Sequence, residues 1–573
     1  MKTTNRYILI PLAALGLFIG GCESTELDIT QDPNALAPEQ ASVDFFLNSI
    51  QEDFVRQLEG NADFDVNDNW VSGGATNGDG FNLHGMELTR TGALYNGNSQ
   101  NYQSVYQDSD FTDEWTNAYT GILQDINIMN GLAEEAGQTH HIAIAQFIEA
   151  YLIVSLVDFF GDIPYSEAFK GEEGILNPKL DSGAEVYQAA LDLIDEAIVN
   201  FGTTASDEPS TDVFYANDYG MWIKAANTLK LKIYYQTRLV DANAISSFNA
   251  IIASGNYITD SSEDFQYSWP GTSASNPDTR HPRYGFNYTP TGASDFVSNW
   301  LMNEMQVSND PRIRYYFYRQ TAAVPGQEIP PNQETIRCST QSPPQHYIDG
   351  GFTFCNLPNG YWGRDHGQND GRDPDAFFVT MWGVYPFGGR FDDDTFQGIG
   401  PGQGGLGAGI SPILTASWVD FMIAEVRLAS NDLTAARAAL LEGVNKSITK
   451  VQSFSSLDPS ADFSFAPDQA TVDSFVSSIG AAWDAATADG KWDVLGEQFF
   501  IACFGNGVEP YNFYRRTGYP TTVQANRSPN PGDFPRSMYY PSNAVNTNSN
   551  ISQKPNQAQP VFWDNNPSGP IAN

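Results

Sequence analysis

Histidine and cysteine are scarce in this chain, with six of the first and four of the second among 573 residues. The histidines are His84, His140, His141, His281, His346 and His366, and they form no His-Glu-x-x-His pair. The cysteines form no Cys-x-x-Cys pair, so a zinc centre has little support. A Gly-x-Ser-x-Gly nucleophile turn and a phosphate-cradling Gly-x-x-x-x-Gly-Lys loop are also absent. Basic residues are few: 29 Lys and Arg stand against 69 Asp and Glu, a formal charge of −40. Such a surface repels nucleic acid and anionic lipid headgroups, and neither is expected as a partner. With so few cations to pair, much of the acid must sit solvated.

Apolar residues are not lacking. At 41% hydrophobic and 13% aromatic the chain can bury a large core and is no disordered acidic tail. Its first residues carry Lys2 and Arg6, then an apolar run over 7–19, then Gly20-Gly21-Cys22. This is the three-part shape of an export signal. The run is shorter than the ~20 residues a bilayer span requires. A cysteine directly after the cleavage point looks like a bacterial lipobox, which makes Cys22 the acylated first residue of the mature chain. Glu23 and Glu26 behind it resemble the surface-export tag of Bacteroidetes lipoproteins. An ordinary secretory peptide with an incidental cysteine is the alternative. In an oxidising compartment, Cys338 and Cys355, which flank a Pro-rich irregular stretch, become candidates for a loop-closing disulfide. Cys503, inside the apolar run 499–504, reads as a small buried hydrophobe.

Helical periodicity dominates both ends. A first helix is expected over 43–58. An irregular Gly/Asn/Asp-rich stretch over 60–110 follows and holds Trp70, Tyr95 and Tyr102. Helices resume over 113–135 and 140–160, joined by Ala136-Gly137-Gln138, and then over 184–200 and 218–239. Short turns between amphipathic helices force antiparallel packing and suggest a helical repeat of the tetratricopeptide class, although the repeat consensus is poorly met. The very apolar 140–160 segment is interrupted by Gln146, Glu149 and Asp158, and reads as a buried scaffold helix. The middle, over 249–411, is crowded with Pro, Gly, Asn and aromatics and shows little period. Helices return over 415–430 and 433–447, where Asp432 or Thr434 could cap the second. Two more follow over 471–487 and 492–504.

Few constellations point to chemistry. Sixty-nine acids always allow some two to face each other at glycosidase spacing, so that signal carries nothing. Asp392, Asp393 and Asp394 could offer oxygen ligands to calcium, with a solvated turn as the alternative. No other cofactor is expected. The glycine-rich run 400–409 lacks a lysine and a preceding strand, and reads as a flexible surface loop. The aromatic residues are more informative. Trp115, Trp222, Trp418, Trp483 and Trp492 fall on helical patterns and read as core. Trp70, Trp269, Trp300, Trp362 and Trp382 lie in or beside irregular segments, with Tyr95, Tyr102 and Tyr361. Flat rings on loops can stack on a sugar face or clasp a peptide while nearby amides bond hydroxyls. Loops also use such rings as local core.

Several ordered strings resemble the SusD/RagB family of nutrient-binding outer-membrane lipoproteins, in its SusD-like branch. They are Asp32-Pro33-Asn34; Val157-Asp-Phe-Phe-Gly-Asp-Ile-Pro-Tyr-Ser-Glu-Ala168; Trp222-Ile-Lys-Ala-Ala-Asn-Thr-Leu-Lys-Leu231; Asn309-Asp-Pro-Arg312; Tyr361-Trp-Gly-Arg-Asp-His366; Gly383-Val-Tyr-Pro-Phe-Gly-Gly389; and 497–516 with Gly505-Asn-Gly507 and Arg515-Arg-Thr-Gly518 at its end. The run from Glu425 to Ser430 departs from the family's usual Ala-Glu-Ala.

The resemblance implies a mainly α fold, a tetratricopeptide-like scaffold with an irregular loop-rich ligand-binding module inserted in it. The division is 1–21 leader, 22–42 acidic tether, 43–248 and 412–573 scaffold, and 249–411 inserted module. It implies a binding protein without catalytic residues. The protein would hold an oligosaccharide, or alternatively a peptide, and deliver it to a TonB-dependent outer-membrane barrel, with membrane attachment by the lipid alone and the protein facing the cell exterior. A surface glycoside hydrolase is the rival reading. Arg364, Arg515 and Arg516 are expected as buried pairs holding loops to scaffold.

Overall fold

The computed structural model describes residues 42–60, 80–94, 101–271, 279–290, 292–322, 357–367, 379–528 and 530–566. From Val43 onward they belong to one compact unit, and it is mainly helical. Helix α1 spans Val43–Glu59, α2 Gly80–Thr89, α3 Leu123–Ala136, α4 Thr139–Phe160, α5 Gly183–Phe201, α6 Tyr219–Thr237 and α7 Ala244–Ser254. In the middle of the chain lies α8, Asn299–Val307. The C-terminal set is α9 Ala416–Ala429, α10 Leu433–Ser453, α11 Gln469–Ala485, α12 Ala488–Ala502 and α13 Val508–Thr517.

Their ends follow from the residues placed there. The Ser182 hydroxyl and Glu185 form a reciprocal capping box that starts α5. Asp218, Thr415, Asp432, Asp468 and Thr487 each accept a backbone N–H at the start of α6, α9, α10, α11 and α12. Asp432 is therefore the cap that the sequence left open against Thr434. The helix expected over 113–135 is broken by a π-helical stretch at Asn117–Ile122, where the Asn117 amide donates to the Asp53 carbonyl at 3.0 Å.

Consecutive helices pack on one another from α3 through α7 and again from α9 through α13, as a helical repeat requires. The two runs meet where α9 lies against α6 and where α13 lies against α2, which in turn packs on α1. α4 is long and apolar enough to cross a membrane by composition, yet it is the core helix, buried at every position from Ala150 to Phe160. Asp158 makes it a hub. Its carboxylate accepts from Asn512 at 2.7 Å, Trp563 at 2.9 Å and the Tyr187 hydroxyl, while its carbonyl takes the Arg515 guanidinium at 2.7 Å. Burial holds this carboxyl above the ordinary aspartate range despite Lys232 and Arg515 nearby.

α2 and α13 were not expected from periodicity. Both are only ten residues long and are buried on nearly every side, polar positions included. They cross backbone to backbone. A Cβ on Gly507 would sit 2.1 Å from the Asn82 carbonyl oxygen and 2.2 Å from the Met86 nitrogen, and one on Gly85 2.3 Å from the Gly507 carbonyl.

Strands are few. β1, Phe265–Ser268, pairs antiparallel with β4, Ile410–Leu414, and β2, Phe317–Tyr318, pairs antiparallel with β3, Met381–Trp382. The described part of the middle region shares its core with the scaffold. Tyr316 stacks on Phe504 at 4.3 Å, and Arg312 reaches the Gln498 side chain at 3.0 Å.

Candidate functional site

The residues singled out in the sequence separate into three groups. Trp70, Tyr95, Cys22, Cys338 and Cys355 lie outside the described residues. Five aromatics expected on loops are instead core: Tyr102 is 0% exposed, Trp300 6%, Tyr361 5%, and Trp362 and Trp382 1% each. A ring so enclosed has no face for a ligand. The Tyr102 hydroxyl meets His366 Nε2 at 2.8 Å, Trp382 packs 5.1 Å from Phe387, and Tyr361 lies 5.0 Å beneath the Arg319 guanidinium. Trp269 alone of the described set remains half-buried on the surface.

Asp392, Asp393 and Asp394, read as possible oxygen ligands to calcium, are engaged within the protein. Arg319 Nε donates to Asp392 Oδ2 at 2.6 Å, and Arg314 Nη1 to Asp394 Oδ1 at 3.0 Å. Asp393 accepts the backbone N–H of Thr395 at 3.2 Å and of Asp462 at 3.0 Å. Burial would raise Asp394, but Arg314 and Arg319 hold it below the usual range. Asp392 and Asp394 are thus paired with arginines and Asp393 with backbone donors, and among the described residues no group of three or more His, Cys, Asp or Glu is arranged for a metal. Of the three arginines expected in buried pairs, all are buried and Arg516 has a carboxylate partner. Arg516 pairs with Glu425 at 2.7 Å, Arg515 is held by backbone carbonyls, and Arg364 lies buried 4.5 Å from the Phe296 ring.

Around Trp269 a built surface does emerge. Tyr267 at the β1 edge meets Trp269 edge-on at 4.9 Å, and both are partly exposed. The indole Nε1 donates to Ser411 Oγ at 2.8 Å, which fixes the ring's tilt. Behind it lies His281, whose imidazole burial and the nearby Arg283 push well below the usual histidine range, so it stays neutral. His281 Nδ1 also caps the short helix Pro282–Asn287.

That helix carries Tyr284 and Tyr288, stacked at 4.4 Å, and with Tyr318 they form a separate aromatic cluster. A strap over 395–409 joins the cluster to Trp269. Tyr318 holds Gln397 at 3.0 Å, Gln320 accepts the Ile399 N–H at 3.1 Å, and the Tyr284 hydroxyl donates to the Gln403 carbonyl at 2.8 Å. At its far end the His281 N–H reaches the Gly407 carbonyl, and the Trp269 N–H the Gly409 carbonyl, each at 2.9 Å. The glycine-rich run is thus pinned where a flexible loop was expected. A Cβ on Gly404 would lie 2.2 Å from the Gly389 carbonyl, so the strap's inner side needs glycine, whereas Gly398, Gly400 and Gly402 face open space. No motif announced this cluster. Its one sequence signal was the four-residue spacing of Tyr284 and Tyr288, which puts both rings on one helical face.

Comparison with known proteins bears on what this surface serves. A family model described as starch-binding and associating with the outer membrane matches residues 62–329, and a second, described as SusD and RagB outer-membrane lipoprotein, matches residues 411–560. Similar solved structures include a SusD homolog from Bacteroides fragilis, 17% identical, covering 91% of this chain and 100% of its own at a TM-score of 0.61. A SusD/RagB family protein from Bacteroides thetaiotaomicron is 18% identical, with 92% and 99% covered and a TM-score of 0.61. A chitin-binding SusD homolog from Flavobacterium johnsoniae is 18% identical, with 91% and 99% covered and a TM-score of 0.59. No curated protein matches the sequence significantly.

Proposed function

Because this chain belongs to the SusD/RagB family of outer-membrane lipoproteins, we propose that it captures an oligosaccharide and hands it, unaltered, to a TonB-dependent barrel. The half-exposed Tyr267–Trp269 pair carries the reading. An indole fixed by a hydrogen bond and buttressed edge-on offers one rigid face at little entropic cost, and sugar rings stack on such faces. Loop amides and hydroxyls around it can satisfy the sugar's own hydroxyls. The chitin-binding relative agrees with a glycan ligand. Attachment through an acylated Cys22, with the protein facing outward, belongs to the same reading.

Titration calorimetry of the mature protein against a panel of neutral oligosaccharides tests it. Expected are dissociation constants between about millimolar and micromolar, the range of about 4 to 8 kcal/mol. Trp269→Ala should weaken binding at least tenfold, with no product released on prolonged incubation. Binding of peptides alone, or steady hydrolysis abolished by one carboxylate substitution, would overturn it.

A further inference from the structure

Several buried arginines are paired with a carboxylate or held by carbonyls, Arg90 among the latter. Arg312 pairs with Asp310, Arg516 and Arg238 with Glu425, and Arg319 with Asp392. Arg515 lies against two backbone carbonyls. Arg390 is less well held, with two buried nitrogens unsatisfied where Arg283 and Arg515 have one each. It is 5% exposed, no carboxylate pairs with it among the described residues, and its Nε and Nη1 atoms are buried without any hydrogen-bond partner. Its one side-chain hydrogen bond is a 3.3 Å contact from Nη2 to Thr395 Oγ1. A buried guanidinium lacking its hydrogen bonds is costly, and in a chain with 69 acids a carboxylate partner would have been easy to supply.

What surrounds Arg390 is aromatic and covered by a strap. Its Cζ lies 4.4 Å from the Tyr318 ring centroid, and its backbone N–H donates to the Tyr288 hydroxyl at 2.8 Å. The cover is the strap. Thr395 at its start is exposed, Ile399 packs on the tyrosine cluster, and Gly398, Gly400 and Gly402 leave its outer side open. Three side chains hold it down, the Tyr318 hydroxyl on Gln397, the Gln320 amide on Ile399 and the Tyr284 hydroxyl on Gln403, and lifting it exchanges these bonds for bonds to water. Once the Thr395 contact is released, either edge of the guanidinium, Nε with Nη2 or Nη1 with Nη2, offers the parallel donor pair that a carboxylate takes.

We propose that Arg390 is the floor of a binding site for a uronate-bearing saccharide. The strap over 395–403 lifts to admit the carboxylate, and only in lifting does it uncover Tyr318 and the neighbouring tyrosines, which are closed to a ligand while it is down. The inference rests on the glycan reading above and names its ligand class. Long-range charge works against such a ligand, since the protein is itself strongly acidic. Added salt should therefore leave the affinity unchanged or raise it, unlike capture by a surface basic patch.

Calorimetry with a trigalacturonate, its methyl-esterified form and a sulfated neutral trisaccharide tests the assignment on the mature protein. Expected is at least tenfold tighter binding of the acid than of the ester, undiminished between low and moderate salt. Arg390→Gln should abolish that ratio while leaving ester binding intact, and Arg390→Lys, which keeps the charge without the paired donors, should recover it only in part. Circular dichroism confirms that both variants are folded. Equal affinity for acid and ester, an unchanged ratio in Arg390→Gln, or preference confined to the sulfated sugar overturns the uronate site. If neutral sugars still bind through Trp269, the capture reading survives that result. If no saccharide of any kind binds, both fall.

Discussion

Glu425 is the sharpest place to test how this scaffold is held together. Its Oε1 accepts from Arg516 Nε at 2.7 Å and Arg238 Nε at 3.0 Å, and its Oε2 from Arg516 Nη2 at 2.7 Å. One carboxylate therefore joins α9, α13 and the residue that ends α6, and all three side chains are almost fully enclosed. Replacing it by glutamine keeps the shape and removes the charge, leaving two guanidinium groups buried together. Breaking a buried pair by removing one partner costs about 3–5 kcal/mol. With an unfolding entropy of about 2.1 cal/mol/K per residue, a body of roughly 500 residues loses about 1 °C of Tm per kcal/mol, so Glu425→Gln should lower Tm by about 3–5 °C. The control is Arg437→Ala, which breaks a forked pair with Asp484 of similar geometry, 2.8 and 2.9 Å, on an exposed surface. Its loss should stay under about 1 kcal/mol. The pH dependence supplies a second check. Burial pushes the Glu425 carboxyl up, and Arg516 and Arg238 more than reverse it, leaving the folded value below the ordinary one. Its contribution is then fully present above the unfolded glutamate pKa of about 4.3 and is lost as pH falls through the folded value. Differential scanning calorimetry at pH 7 and at pH 3 to 4 should show the gap between wild type and variant shrinking on acidification. Equal losses for Glu425→Gln and Arg437→Ala at neutral pH would refute the argument from burial.

Glu149 has the opposite sign. Burial and Glu196 push it up to about 7, against the Tyr165 hydroxyl that donates to it at 2.9 Å. Its favourable neutral form is complete below the unfolded pKa of about 4.3 and is lost as pH rises through about 7. Glu149→Gln should accordingly be more stable than wild type at pH 8 and indistinguishable from it at pH 4, which thermal melts at the two pH values will read. Cys503 is buried and free, and burial holds its thiol well above the usual range. Peptide mapping after alkylation should find it unlabelled in the native protein and labelled in denaturant. Gly507→Ala should destabilise the protein by several kcal/mol, or about 3 °C or more, because its Cβ meets backbone on α2. Gly131→Ala, in an exposed stretch of α3 where a Cβ meets nothing within 4 Å, should stabilise by about 0.5–1 kcal/mol.

Amphipathic helices were legible wherever one face met water. α1, α5 and α10 alternate buried and exposed positions and were located from their stripes. α2 and α13 were not: each is only ten residues long, and each buries polar residues, Asn82 and His84 or Asn512 and Arg515, where a helix face would ordinarily meet water. The binding surface was legible only in kind. Ring-bearing loops raised the idea of a ligand face, but whether Trp382 or Trp269 turns outward depends on partners more than a hundred residues away, Phe504 and Ser411, that no local pattern reveals. Arg390 carried no signal at all. Its meaning lies in the carboxylate that is not beside it, and sequence does not record missing neighbours.

The bare crossing of Gly85 over Gly507 brings the early and late parts of the polypeptide into direct apposition, so neither can be trimmed without uncovering the other. A shortened clone ending before α13 would leave the groove along α2 open and sticky. Two separately expressed pieces, divided in the exposed 203–208 loop between α5 and α6, would by contrast retain complementary surfaces through which they could reassemble.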